Sequence, residues 1–209
     1  MRRTEIGAAL RFLPATAGLL MLAACVADGV PPAASYQQLR QNYASEPYEV
    51  LIVDRKKFDR RFWPTVVKAP EPQPEGSVLI DTSQRYLYLF EPGGMARRYG
   101  IAVGASGQAW SGTAAVGRKA KWPAWFPTDD MRNQAPGLPG KIEPGTHNPL
   151  GARALYLFQN DRDTLYRIHG TSEPWTIGTQ ASSGCIRMLN EDVIDLYDRV
   201  RPGAIVMVR

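Results

Sequence analysis

Short runs of β-branched and aromatic residues, separated by glycine and proline turns, fill the chain from residue 77 onward and constrain its fold most strongly. Residues 77–81 and 84–91 are two such runs, and Pro92-Gly93-Gly94 turns the chain into a third at 97–103, as in a β-hairpin. The same signals predict further strands at 114–119, 154–159, 164–169 and 204–208. The domain is therefore predicted to be mostly antiparallel β-structure.

One helix is predicted near the C terminus. Asn190 is suited to cap its first turn, and Glu191 and Asp192 suit the positive end of the helix dipole. Its apolar face consists of Val193, Leu196, Tyr197 and Val200. Pro202-Gly203 ends the helix. Together with the predicted strands, this helix gives the predicted fold class: mostly β, a β-rich α+β domain with one C-terminal helix.

Residues 1–24 are predicted to be a secretory signal peptide. Arg2 and Arg3 precede an apolar stretch at 15–24, which is too short to cross a bilayer core that takes about 20 residues. The end of this stretch, Leu22-Ala23-Ala24-Cys25, resembles the lipobox of bacterial lipoproteins, which implies a lipid on the Cys25 thiol. The alternative is an ordinary cleaved signal. Both interpretations predict export, and the first predicts a periplasmic protein held at a membrane by its lipid.

Residues 25–76 are predicted to be a proline-rich tether, because proline fixes φ and removes a hydrogen-bond donor. We expect a short helix near 35–43 and an edge strand at 48–53 within it. The β-rich domain is predicted to follow at 77–209.

Composition narrows the functions that the chain can have. The 209 residues carry 25 Lys and Arg against 20 Asp and Glu, a net charge of +5, without a run of like charge that would indicate nucleic-acid binding. Two cysteines and two histidines are too few for a Cys/His zinc site, which takes three or four such ligands. We expect neither a metal nor another cofactor.

A cysteine and a histidine are the candidate catalytic residues. His169 ends a predicted strand, and Cys185 follows a loop of small and polar residues at 179–184. A neighbouring imidazole can take the proton of a nucleophilic thiol, and Gly184 lets the backbone turn so that N–H groups near Cys185 meet a developing oxyanion. In the alternative interpretation, the cysteine is a small buried hydrophobe and the histidine is merely hydrogen-bonded.

The loop at 122–145 is long for a compact domain and rich in proline and tryptophan, which predicts a lid or a binding surface. His147, just beyond it, is either a second acid/base or an ordinary loop histidine.

The series His169-Gly170-Thr171, Gly178 and Ser182-x-Gly184-Cys185-Ile186-Arg187 resembles the signature of the YkuD-type L,D-transpeptidases, bacterial cell-wall enzymes. Residues 148–155 resemble the NPLGxRAL segment common among these proteins. Ser183 stands where many relatives have histidine, which removes a possible second imidazole. The resemblance implies an L,D-transpeptidase-like β-sandwich or barrel.

The resemblance also implies roles for individual residues. Cys185 would be the nucleophile and His169 the general base and later the acid, with the Gly170 carbonyl orienting the imidazole and the N–H of Gly184 in the oxyanion hole. Substrate-binding residues would be Arg187, Ser182, Ser183 and Tyr166. Arg187 is expected on the Cys185 side of its strand, where it binds a substrate carboxylate or, alternatively, pairs with an acidic residue.

The implied reaction is acyl transfer on peptidoglycan stem peptides that contain diaminopimelate. Cys185 would form a thioester with release of D-Ala, and an acceptor amine from a second stem or from an outer-membrane protein would then attack the thioester. Attack by water would instead make the protein an L,D-carboxypeptidase. A third alternative is a non-catalytic lipoprotein that binds peptidoglycan.

Overall fold

The computed structural model describes residues 41–104, 110–182 and 184–209, with the backbone alone at 181 and 182. The predicted signal peptide, Cys25 and Ser183 lie outside the described residues, as does the side chain of Ser182. Within these ranges, no helix has the length and apolar character needed to span a membrane.

Most of the described strands belong to one nine-stranded sheet. Its strands are β1 Thr65–Lys68, β2 Val78–Asp81, β3 Tyr86–Glu91, β4 Met95–Gly100, β6 Gly112–Lys121, β7 Arg153–Gln159, β8 Arg162–His169, β10 Ile186–Arg187 and β11 Ile205–Val208. Their order across the sheet is β1-β4-β3-β2-β11-β6-β7-β8-β10. The short strands β5 Val103–Gly104 and β9 Gln180–Ser182 form a second, parallel pair. Neighbours in the large sheet are antiparallel except β2 with β11 and β8 with β10.

The main core lies between the large sheet and the helix α2, Asn190–Arg199. Alternate residues of the strands point into it, among them Leu155 and Leu157 of β7, and Val193 and Leu196 of α2 meet them. A shorter helix, α1, spans Asp129–Gln134. The structure thus confirms the predicted fold class, a mostly β domain with a C-terminal helix.

The predicted role of Asn190 as a helix cap is wrong. Asn190 is the first residue of α2, and the capping position belongs to Leu189, which makes no side-chain cap. The Asn190 side chain is buried and bonds to two other segments of the backbone. Because the Asn190 side chain bonds to these segments, it does not cap the N terminus of α2.

A segment predicted as tether packs against the domain over much of its described part. We call residues 43–63 the N-terminal strap. Val50, Ile52 and Phe62 are buried, because each joins an apolar cluster with residues of the domain. The edge strand predicted at 48–53 is irregular backbone, and the pairing expected there is made by β1 on β4. Of the helix predicted at 35–43, residues 41–43 are described: Gln41 and Asn42 are helical, and Tyr43 lies in a turn.

An ion pair with a buried arginine fixes the strap to the start of β7. Glu46 pairs with both terminal nitrogens of Arg153, whose side chain is only 2% exposed. The same carboxylate accepts a hydrogen bond from the indole of Trp122 at 2.6 Å. Arg153 and Trp122 together hold the pKa of Glu46 below its ordinary value. One carboxylate therefore joins three segments that are far apart in sequence.

Replacing Glu46 by Gln is expected to lower the free energy of unfolding by about 3–5 kcal/mol, because it leaves the buried guanidinium of Arg153 without its countercharge. Urea unfolding followed by tryptophan fluorescence measures the change. Glu143→Gln is the matched control, since it breaks only the exposed pair with Lys141 and should cost under about 1 kcal/mol. Equal losses in the two variants would contradict the account.

Candidate active site

Two rows of side chains cross one face of β6, β7, β8 and β10. In the first row, Arg118 pairs with Tyr156 and Tyr156 pairs with Arg167. Extending the β8–β10 register by one residue places Cys185 beside Arg167. The second row consists, in strand order, of Ala120, Ala154, His169 and Arg187. Since residues paired across strands share a face, His169 and Cys185 are diagonal neighbours on adjacent strands.

All of these side chains except Ala154 line a cavity of about 600 Å³ that contains both candidate catalytic residues. The opposite wall belongs to the segment 122–145, which contributes Trp125, Phe126 and Met131. The backbones of Trp125 and Ile142 bond to each other in both directions, which closes this segment into a loop that we call the lid. The sequence predicted a lid or a binding surface here, and the loop does cover the cavity.

Cys185 is half-buried, and its thiol donates a hydrogen bond to the carbonyl of Leu165 at 3.7 Å. Burial raises the pKa of the Cys185 thiol above its ordinary value, while a backbone hydrogen bond from Arg167 and the charges of Arg167 and Arg187 act in the opposite direction. The resting side chain is therefore the neutral thiol, and a base is needed to make the thiolate.

The carbonyl that receives this thiol comes from a residue in an unusual conformation. Leu165 has a φ of +64°, in the left-handed region that non-glycine residues seldom occupy. The β7–β8 register shifts at this point, between Tyr156 and Phe158. A bulge therefore turns the Leu165 carbonyl toward Cys185, as bulges often re-aim groups beside active sites.

His169 is buried, and its Nδ1–H donates a hydrogen bond to the carbonyl of Gly170 at 2.6 Å. A carbonyl oxygen only accepts, so this bond assigns the proton to Nδ1 and leaves Nε2 unprotonated in the neutral ring. Burial lowers the pKa of His169 to about 4, outweighing the Gly170 hydrogen bond. The imidazole is thus neutral near pH 7 and able to accept a proton.

Asn190 joins the segments on either side of this histidine. Its Oδ1 accepts from the N–H of Ala152 at 3.0 Å and of Thr171 at 3.2 Å, and its Nδ2 donates to the Thr171 carbonyl at 2.8 Å. A β-carbon at Gly170 or at Gly151 would lie 2.2 Å from that Oδ1. Both positions therefore require glycine. Reading Asn190 as a helix cap missed this role.

The backbone before Cys185 also depends on a glycine. Gly184 is buried and has φ +125°, a conformation that would strain any residue with a β-carbon. This turn follows β9 and delivers Cys185 to the start of β10.

Arg187 lies opposite His169 and lines the cavity, and it also donates to Glu173 at 2.7 Å. It is thus on the Cys185 side of its strand, as the alternation predicts, and it is ion-paired as well. Tyr166, predicted to bind substrate, is on the opposite face of β8, where it packs against the main core and Trp110 with ring centroids 5.5 Å apart. His147 is exposed and is not part of the cavity wall.

Sequence reasoning did not select Arg118, Tyr156, Leu165 or Arg167. Strand parity offers a signal for two of them, because Leu165 and Arg167 share the face of His169 whereas Tyr166 does not. Arg118 and Tyr156 reach the cavity only through the pairing of β6 with β7. Over the described ranges, no three His, Cys, Asp or Glu side chains are grouped so as to hold a metal ion.

The family model of the YkuD L,D-transpeptidase catalytic domain matches residues 75–208, more than half of the chain. The chain therefore belongs to this family.

Individual relatives agree with this assignment. The chain is 31% identical over 140 residues to the Probable L,D-transpeptidase ErfK/SrfK of Escherichia coli K12, covering 63% of this chain and 43% of that protein. It is 34% identical over 143 residues to the Probable L,D-transpeptidase YbiS of the same strain, covering 64% and 44%. The chain thus spans less than half the length of these curated relatives.

A solved structure from Brucella melitensis, described as a probable carnitine operon oxidoreductase caia, is 47% identical with a TM-score of 0.50. The match covers 71% of this chain and 94% of that one. The oxidoreductase description belongs to that protein, and the likeness concerns the fold.

We expect the imidazole of His169 to titrate near pH 4 in the folded protein, because burial disfavours its charged form. The His147→Gln variant leaves His169 as the single histidine, so that its ring signals can be followed by NMR. Since the folded pKa of about 4 lies below the ordinary 6.5, the unfolded chain binds more protons between these values. The free energy of unfolding should therefore fall as the pH drops through that window. A folded-state midpoint near 6.5 would contradict the buried neutral imidazole.

Proposed function

We propose that the chain is an L,D-transpeptidase that acts on peptidoglycan stem peptides through a thioester on Cys185. One observation carries this proposal: a thiol and a neutral imidazole, whose Nδ1–H is held by the Gly170 carbonyl, line the same cavity from adjacent strands. Family membership supports transpeptidase chemistry in general. The assignment of the reacting residues and of the substrate is our own.

In the acylation step, Nε2 of His169 takes the proton of the Cys185 thiol, and the sulfur attacks the carbonyl on the L-centre of diaminopimelate. The C–S bond forms as the oxygen becomes an oxyanion, which the backbone N–H groups of Gly184 and Cys185 stabilise. The bond to D-Ala then breaks, and His169 returns its proton to the departing amine. The Gly170 carbonyl keeps the ring oriented and stabilises the imidazolium, the task that an aspartate performs in serine hydrolases.

In the second step, an acceptor amine gives its proton to Nε2 of His169 and attacks the thioester, and the sulfur leaves as a thiolate that recovers the proton. An amine from the diaminopimelate of a second stem yields a 3→3 cross-link, and an amine of an outer-membrane protein yields an anchored protein. With water as the acceptor the product is a tripeptide, and the enzyme is an L,D-carboxypeptidase. All three outcomes use the same first step.

Incubation of the purified chain with tetrapeptide muropeptides is expected to give cross-linked dimers when an acceptor stem is present, as detected by mass spectrometry. A carbapenem, which acylates the cysteine of this family, should add its mass to the wild-type protein and not to Cys185→Ala. His169→Gln should lose turnover by about 100-fold or more through loss of the general base, whereas the matched exposed variant His147→Gln should keep it.

If the products are tripeptides alone, the protein is an L,D-carboxypeptidase and not a transpeptidase. A carbapenem mass shift that persists in Cys185→Ala would overturn the assignment of Cys185 as the nucleophile. If Cys185→Ala keeps the cellular effect and sacculus binding, the protein is a non-catalytic anchor. Circular dichroism of each variant distinguishes loss of chemistry from loss of fold.

We also propose that the chain is exported to the periplasm and held at a membrane by a lipid on Cys25. The basic start, the short apolar stretch and the lipobox-like Leu22-Ala23-Ala24-Cys25 support this proposal. In a Gram-negative host, the mature wild-type protein should partition into the detergent phase of a Triton X-114 extract, and Cys25→Ser should move it to the aqueous phase. Equal partitioning of the two proteins would contradict lipidation.

A further inference from the structure

A stacked row of two arginines and one tyrosine extends from the candidate nucleophile along the cavity floor. The guanidinium carbon of Arg118 lies 3.5 Å from the centre of the Tyr156 ring, and that of Arg167 lies 4.8 Å from the same ring. The three residues sit on adjacent strands at one register level, with Cys185 next in line. The ring holds both cations in place by cation–π contact.

The wall of the cavity is strongly unbalanced in charge. It includes Arg118, Arg167 and Arg187, and none of the described residues that line it is Asp or Glu. Arg187 is neutralised by Glu173 at 2.7 Å, and Arg167 approaches Asp163 at 3.3 Å from outside the cavity wall. Within the described part of the chain, no carboxylate lies within ion-pairing distance of Arg118, whose side chain is exposed toward the cavity.

We propose that Arg118 and Arg167 form a subsite for a carboxylate of the donor stem peptide, one that stays with the acyl group on Cys185. This inference rests on the proposed function. Both guanidinium groups contact the Tyr156 ring, and a carboxylate that accepts N–H groups from the two of them balances their positive charge. Arg118 lies two strands from Arg167, a separation of about 10 Å between backbones, so the subsite extends well beyond the scissile bond.

Two carboxylates of the stem have the required chemistry. One is the α-carboxylate of the glutamate that precedes diaminopimelate, and the other is the D-centre carboxylate at the end of the diaminopimelate side chain. Both remain on the acyl-enzyme after D-Ala has left. The subsite therefore selects stems in which the recognised carboxylate is free over stems in which it is amidated.

The test measures binding without turnover. Three synthetic tetrapeptide stems, one fully acidic, one amidated at the glutamate and one amidated at the D-centre, are titrated into ¹⁵N-labelled Cys185→Ala protein and followed by NMR. The acidic stem should bind about ten- to 100-fold more tightly than one of the amidated stems, the effect of a hydrogen bond between charged groups. Which amidation weakens binding identifies the recognised carboxylate.

Arg118→Gln in the same background should reduce this preference by weakening the acidic stem alone, since Arg167 remains, and Arg118→Lys should restore part of it. Arg201→Gln is the charge-matched control, because Arg201 is exposed and lines a different cavity. Equal affinities for the three stems, or equal loss for acidic and amidated stems in Arg118→Gln, would overturn the subsite. Since wild-type turnover is measured separately, failure of the subsite is distinguishable from failure of the proposed reaction.

Discussion

The three hydrogen bonds of the buried Asn190 carboxamide are the contact on which the candidate site depends most. They tie the start of β7, the chain just after His169 and the first turn of α2 to one side chain. Each buried bond contributes about 1 kcal/mol, and a buried group left unpaired costs about 1–3 kcal/mol. Gly170, whose carbonyl orients the imidazole, lies between two of these anchored segments. Asn190 thus holds the segments on either side of the carbonyl that sets the tautomer of His169.

Contacts from the strap also hold the first turn of α2 in place. Arg55 pairs with the buried Asp192, and the N–H of Val53 donates to Glu191 at 3.1 Å, so both acids at the start of α2 are held by the strap. Burial raises the pKa of each acid, and the charge of Arg55 opposes that rise. Together with Glu46 at the base of the lid, these contacts make the strap part of the same folded unit as the candidate site, although it precedes the family-matched residues 75–208.

Local patterns in the sequence predicted much of the fold, and long-range contacts account for what they missed. Alternation and turn residues placed the strands and α2 because these signals act within a few residues. The strap could not be predicted, since its partners Arg153 and Asp192 are more than 100 residues away. At the site, the motif brought His169 and Cys185 to one cavity, as the resemblance implied. Tyr166 was predicted to bind substrate, although the alternation of side chains along β8 puts it on the core face, opposite to His169. Arg118 lines the cavity only because of the register between β6 and β7, which the sequence does not reveal.

The mutual fit of Asn190, Gly151 and Gly170 has a consequence for how such a domain diverges. Any side chain at either glycine collides with the carboxamide oxygen, and a shorter residue in place of the asparagine strands three backbone groups. Each of the three positions therefore restricts the other two, and a stepwise exchange at one of them passes through a less stable protein. Only simultaneous replacement avoids that intermediate, so these three positions should change more slowly in evolution than the exposed residues of the lid.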